Sequence, residues 1–83
     1  MAFESKILKD YGYIEFSETS RINVYIVVYG TNAPVIELMG EFRRKGSEPN
    51  AWQKSKRAAI TPKVSDFLFK NNVFEELKTI TNQ

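Results

Sequence analysis

The run of residues 22–29 constrains the fold of this chain more than any other segment. It reads Ile-Asn-Val-Tyr-Ile-Val-Val-Tyr, so an extended backbone places Ile22, Val24, Ile26 and Val28 on one side. β-Branched and aromatic side chains of this kind suit a pleated sheet, and the alternation predicts a strand with one face toward a core. A single strand is not stable in water, so the rest of the chain must supply its partners.

Segments on both sides of this run predict those partners. Residues 12–16 alternate and residues 17–20 are polar, which indicates a short strand that ends in a turn. A turn signal at residues 30–32 precedes a further strand at Val35–Phe42. Gly40 within that strand predicts a bulge or a sharp bend. The three strands are close in sequence, which favours antiparallel hairpins.

The chain beyond the third strand is polar before it becomes helical. Residues 45–50 contain Gly, Ser, Pro and Asn and predict a loop, and residues 52–60 predict a fourth strand. Thr61 then offers a side chain that can cap a helix, and Pro62 suits the first helical position, where no backbone donor is needed.

A helix over residues 61–80 is predicted, with a kink or break at Asn71-Asn72. Its apolar side chains recur at helical spacing, on more than one face, which predicts contact with both the sheet and a second chain. The residues expected at a dimer interface are Phe67, Leu68, Val73, Phe74 and Leu77.

Together these elements predict a single α+β domain over residues 1–83: an N-terminal segment (1–10), a four-stranded antiparallel sheet (11–60) and a C-terminal helix (61–80). A domain of 83 residues buries only about 60% of the surface that its unfolded chain exposes. Small folds usually need disulfides, a metal or a partner subunit. Because the chain has no cysteine and no histidine, we expect a homodimer.

The same two absences limit the chemistry of the chain. Disulfides and metal sites built on thiolates or imidazoles are excluded, and the commonest general base is missing. Glu75 and Glu76 are adjacent on the predicted helix and therefore point in different directions. We expect no catalysis, no cofactor and no small-molecule substrate.

The start of the chain lacks the long apolar stretch of a signal peptide, and no segment approaches the roughly 18 apolar residues of a membrane span. We therefore expect a soluble protein in the cytoplasm, that of the host cell if it is phage-encoded, or associated with the nucleoid.

Positive charge is concentrated in one part of the chain. The net charge is +2, but residues 42–57 hold six of the twelve Lys and Arg residues against Glu48 alone. Such a cluster is either a solvated loop or a phosphate-binding surface. Phe42 and Trp52 lie within it, and aromatic rings among cations favour binding of unpaired bases.

The order of these features resembles the positive-cofactor-four family of dimeric single-stranded DNA-binding proteins, which includes a eukaryotic transcriptional coactivator. Residues 20–26 are similar to its second strand, residues 35–38 to its third, and residues 56–62 to a basic fourth strand that runs into a capped helix. Phe42 falls where the family has an aromatic residue that ends the third strand. The short chain, without an acidic or serine-rich tail, looks more like a phage or bacterial member.

This resemblance implies a homodimer whose curved sheets hold single-stranded DNA on a concave face, with the two subunits packed through their helices. It implies neither a cofactor nor catalysis. Binding would be independent of sequence and would serve melted DNA in replication, recombination or transcription.

Candidate binding residues combine the basic segment with aromatic residues of the second strand. Tyr29 and Phe42 match aromatic positions of the family, whereas Met39 and Val27 stand where it often has a basic residue. The nucleic-acid-binding candidates are Tyr25, Tyr29, Phe42, Arg43, Arg44, Trp52, Lys54, Lys56 and Arg57.

Two alternatives remain open at the level of sequence. The chain could be a small dimeric protein–protein adaptor or inhibitor that docks through its basic loop. It could also be an RNA-binding module, because nothing in the sequence indicates whether a 2′-hydroxyl is tolerated.

Overall fold

A computed structural model of the protein describes residues 4–55, 58 and 60–82. The strands form one antiparallel sheet in chain order, followed by the helices, which confirms the predicted α+β class with a four-stranded sheet. The elements are β1 (Ser5–Ser17), β2 (Ser20–Tyr29), β3 (Val35–Phe42), β4 (Gln53–Ser55), α1 (Pro62–Lys70) and α2 (Val73–Thr81).

The alternation of β2 produces two different faces, as predicted. Ile22, Val24 and Ile26 lie in the core beneath the helices, at 8%, 0% and 0% exposure. Val28 is only half-buried. Val27, on the opposite face, is nevertheless 2% exposed, so side chains from the neighbouring strands cover part of that face as well.

β1 is longer than the predicted strand. It begins at Ser5, so residues 5–10 belong to the sheet and not to a separate N-terminal segment. Its pairing with β2 shifts register at three places, one of them between Asp10 and Tyr13, where Gly12 adopts a positive φ of 84°. Such irregularities bend and twist a strand and give the sheet its curvature.

The bulge or bend predicted at Gly40 is wrong. β2 and β3 pair without interruption, with Gly40 opposite Ile22, and Gly40 also pairs with Ser55 of β4. Gly40 is thus paired with a strand on each side, and its backbone continues the regular extended conformation of β3.

The fourth strand is described only at Gln53–Ser55. The rest of the segment predicted as a strand, residues 52–60, includes residues 56, 57 and 59, which lie outside the described residues.

The predicted single helix is two helices. The Thr61 hydroxyl accepts a hydrogen bond from the backbone N–H of Val64 at 3.4 Å, and Pro62 occupies the first turn, as expected. The chain breaks at Asn71-Asn72, where Asn72 has φ 54°. The left-handed conformation interrupts the helix, and Asn tolerates it better than most residues.

The core joins one face of the sheet to one side of both helices. Leu68 and Val73, predicted at a dimer interface, lie inside this core at 3% and 0% exposure, where a second chain would not contact them directly. Phe67 and Leu77 are half-buried against it. Phe74 is 45% exposed. The core cluster is Ile14, Ile22, Val24, Ile26, Val64, Leu68 and Val73.

Neither helix in the described part of the chain is long and apolar enough to cross a membrane.

Candidate nucleic-acid interface

The face of the sheet that points away from the helices, called here the open face, carries a row of charges across all four strands. Glu15, Arg21, Glu41 and Lys54 are successive partners in the strand pairing, so their side chains lie side by side. Opposite charges in directly paired positions stabilise a sheet modestly. The row brings Arg21, which sequence analysis did not select, next to the basic segment.

Arg21 is the centre of this arrangement. Its Nε donates a hydrogen bond to Oε1 of Glu41 at 3.0 Å, and the Asn23 amide donates to the same oxygen. Its guanidinium carbon lies 4.6 Å from the ring centroid of Tyr13 and 4.1 Å from that of Trp52. These distances allow cation–π attraction to both rings.

A second guanidinium, that of Arg43, lies 4.5 Å from the Trp52 centroid. Arg43 donates from Nε to the carbonyl of Glu18 and from Nη1 to the carbonyl of Pro49, each at 2.7 Å. It therefore ties the β1–β2 turn to the β3–β4 loop. Tyr13, Arg21, Arg43 and Trp52 form what we call the Arg–Trp cluster.

Exposed cations lie beside this cluster in the chain. Arg44 and Lys45 follow β3, and Lys54 lies within β4; all three are exposed and form no ion pair with any described residue. Their charges are therefore available to an anionic ligand. Lys56 and Arg57, also predicted to bind nucleic acid, lie outside the described residues.

The part of the open face around Tyr25 and Tyr29 has a different character. Tyr25 is paired with Asp10 on one side and with Glu37 on the other. Burial raises the pKa of Tyr25, and the Asp10 carboxylate raises it further. The Tyr29 hydroxyl donates to Glu37, and this hydrogen bond is the main reason that the pKa of Tyr29 is raised. Carboxylates outnumber cations around these two tyrosines.

Phe42 lies on neither part of this surface. Because pairing between β2 and β3 is uninterrupted, the alternation of β3 places Phe42 on the helix side of the sheet, with Ile36 and Leu38. It is 45% exposed. Met39 lies on the open face, opposite Asn23.

Of the predicted candidates, the structure brings Arg43 and Trp52 into direct contact and leaves Tyr25, Tyr29 and Phe42 apart from them. The cluster includes two residues that sequence analysis missed, Tyr13 and Arg21. The signal that could have found them is the strand pairing, because an arginine opposite Glu41 must lie near the start of β4.

Among the described residues, no group of three or more His, Cys, Asp or Glu side chains could hold a metal ion. Comparison of the chain with protein-family models, with curated proteins and with solved structures finds no match. Function is therefore inferred from the Arg–Trp cluster and its surroundings.

Proposed function

We propose that this protein binds single-stranded DNA without sequence preference, as a homodimer and without catalysis, at DNA that is melted in replication, recombination or transcription. The observation that carries the proposal is the Arg–Trp cluster, where Trp52 and Tyr13 lie with two guanidinium groups beside exposed cations. Aromatic rings that stack on bases, next to cations that neutralise phosphates, are how proteins bind single strands independently of sequence.

Preference for a single strand follows from the aromatic part of the site. A ring can stack on a base only when the base has left its own stack, as it has in melted DNA. Trp52 is half-buried and Tyr13 is 51% exposed, so both rings lie at the surface of the protein and neither is enclosed in the core. Arg44, Lys45 and Lys54 would contact phosphates without reading the bases.

The acidic surroundings of Tyr25 and Tyr29 support a short path for the bound strand. Asp10 and Glu37 would repel phosphates. The favoured path of the strand therefore crosses the Arg–Trp cluster and the exposed cations Arg44, Lys45 and Lys54. This path uses a different part of the open face from the one that the sequence resemblance implies.

Fluorescence anisotropy with a labelled strand of about 20 nucleotides, its duplex and the matching RNA, over a salt series, tests the proposal. We expect the single strand to bind more tightly than the duplex. The log–log slope against salt should be about −0.7 per contacted phosphate. Comparison with the RNA shows whether a 2′-hydroxyl is accepted. Absence of binding to all three at low salt would overturn the proposal.

The proposed homodimer is supported by apolar surface on the helices. Phe69 and Phe74 are 69% and 45% exposed, and their ring centroids lie 5.4 Å apart across the α1–α2 turn. A second chain could cover this pair.

A protein–protein contact is the second candidate function, and one observation favours it. On the open face, Val27 is flanked by Ile7 and Val35, which are 56% and 44% exposed. The carboxylates of Asp10 and Glu37 lie in the neighbouring row. An apolar row beside acids suits a basic, apolar peptide segment. This function would become the leading one if the anisotropy series showed no binding.

A further inference from the structure

The ring of Trp52 is already in contact with two arginine side chains in the free protein. The guanidinium groups of Arg21 and Arg43 lie 4.1 Å and 4.5 Å from its centroid. A stacked base needs the same position over the ring that a guanidinium takes. A base can therefore reach the surface that an arginine covers only if that arginine moves.

The two arginines are held differently. Arg43 donates to two backbone carbonyls, at 2.7 Å each, which belong to separate loops. Arg21 donates to one side chain, the carboxylate of Glu41, at 3.0 Å. Moving Arg43 would release two loops. Moving Arg21 breaks one charge-assisted hydrogen bond and its contacts with the Tyr13 and Trp52 rings. A phosphate can supply a hydrogen bond of the same kind, and a stacked base can take the place of the guanidinium at the ring.

We propose that the ion pair of Arg21 and Glu41 is a latch that the bound strand opens. A phosphate replaces the Glu41 carboxylate as the partner of Arg21, the guanidinium leaves the Trp52 ring, and a base stacks in its place. This inference rests on the proposed function and adds to it a residue, Glu41, that limits affinity.

The latch predicts that loss of the Glu41 charge increases the affinity for a single strand. Loss of an ion pair with a purely structural role would leave that affinity unchanged or lower it. Side chains of Arg21 and Glu41 are 22% and 16% exposed, so the pair is partly shielded from water and salt. In Glu41→Gln the neutral amide oxygen can still accept from Arg21, but it holds the guanidinium less strongly than the carboxylate does. A phosphate therefore displaces it more easily and the Trp52 ring is uncovered. We expect Glu41→Gln to bind a single strand about three- to tenfold more tightly, the range set by a partly shielded ion pair and one cation–π contact.

A matched control separates the latch from a general change of charge. Glu37→Gln removes one negative charge from the same face of the same strand, but Glu37 accepts from Tyr29 and forms neither a hydrogen bond nor an ion pair with Arg21. A second variant, Glu41→Asp, keeps the charge and shortens the side chain, so its affinity should lie between those of the parent and Glu41→Gln.

Trp52 provides a second measurement, because it is the only tryptophan in the chain. Without DNA, Glu41→Gln should shift the emission of Trp52 and expose it to iodide quenching, whereas Glu37→Gln should leave it unchanged. Thermal melts of all three variants identify any that fail to fold, and the affinities of folded variants are then compared by anisotropy.

Tighter binding by Glu41→Gln than by Glu37→Gln, together with changed Trp52 emission, would establish the latch. Equal affinities in these two variants, or weaker binding by Glu41→Gln, would overturn it while the proposed function stands. If neither the parent nor Glu41→Gln binds any strand, the proposed function and the latch both fail.

Discussion

Trp52 is the residue on which the proposed interface depends most. Replacing it with Ala removes the ring that Arg21 and Arg43 contact, so single-strand affinity should fall by about 5- to 150-fold, equivalent to about 1–3 kcal/mol for one stacked base. Trp52→Phe should keep most of the affinity. Anisotropy with labelled DNA measures both.

Phe42→Ala is the control for this prediction. Phe42 is an exposed aromatic residue of the same basic segment, but it lies on the helix side of the sheet. Its removal should leave affinity unchanged. A loss as large as that for Trp52→Ala would mean that the strand wraps around the sheet edge.

The buried hydroxyl of Tyr11 should lower the stability of the folded protein by an amount that can be measured. Its hydroxyl is buried and has no hydrogen-bond partner among the described residues, so Tyr11→Phe should raise the free energy of unfolding at pH 7 by up to about 1 kcal/mol. Burial also raises the pKa of Tyr11 above its ordinary value. The folded state thus keeps the proton more firmly than the unfolded state does.

The sign of the pH effect follows from that shift. The tyrosine's contribution is constant below the pKa of the unfolded chain, near 10, and is lost as pH rises through the folded pKa. Urea unfolding at pH 7 and above pH 10 measures this effect. Between the two pH values, the free energy of unfolding should fall less for Tyr11→Phe than for the parent. The control is Tyr29→Phe, which removes a satisfied hydroxyl and should not stabilise the protein at pH 7.

At the scale of elements, the parts predicted correctly are those with local signals. Thr61 and Pro62 specify the start of α1 through groups within one helical turn. The run that became β2 contains its whole pattern within consecutive residues. These signals do not depend on where the rest of the chain lies.

The parts that were missed depend on distant contacts. The first half of β1 contains two Lys and one Asp, and its register shifts break the alternation that marks a strand. The Arg–Trp cluster joins Tyr13, Arg21 and Trp52, which belong to different parts of the chain and meet only through strand pairing. Composition located the basic segment but not its aromatic partners.

The break between α1 and α2 can be tested at Asn72. Its φ of 54° is costly for a residue with a Cβ and is free for glycine. At this position the Gly variant should therefore be more stable than the Ala variant, by about 1 kcal/mol. Thermal or urea unfolding of Asn72→Gly and Asn72→Ala measures the difference.

Thr79 provides the comparison, because it is exposed and lies within α2. In a helix interior the order is reversed, with Ala more stable than Gly by about 1 kcal/mol. If the Ala variant were more stable than the Gly variant at both positions, Asn72 would not have the left-handed conformation and the helix would continue through it.

The whole molecule is a thin slab, with principal extents of 45 × 36 × 18 Å. Both helices cover one face of the sheet, which leaves Phe69 and Phe74 outside and the open face without a layer of its own. Sequence periodicity marks apolar faces but does not say which of them a partner covers. Two surfaces are thus candidates for the proposed contact with a second chain.

Sedimentation of two variants distinguishes these surfaces. Phe74 on α2 and Val35 on the open face have nearly equal exposure, 45% and 44%. Phe74→Ser should shift a dimer toward monomer, because it removes apolar area from the proposed interface, whereas Val35→Ser should sediment as the parent does. The reverse outcome would place the interface on the open face, and a monomeric parent would exclude the homodimer.

The exposed first part of β1, residues 5–10, has a consequence for local unfolding of the protein. Residues 5–10 are exposed throughout and are held by backbone pairing with the end of β2 and by an ion pair between Lys9 and Glu76 of α2. Water reaches these amides from several directions, so this stretch can peel from the sheet and exchange its amide hydrogens without global unfolding. Tyr13 lies beyond the register shift, toward the other end of the strand. The corner that carries Arg21 can therefore stay in place while the far end of the strand opens and closes.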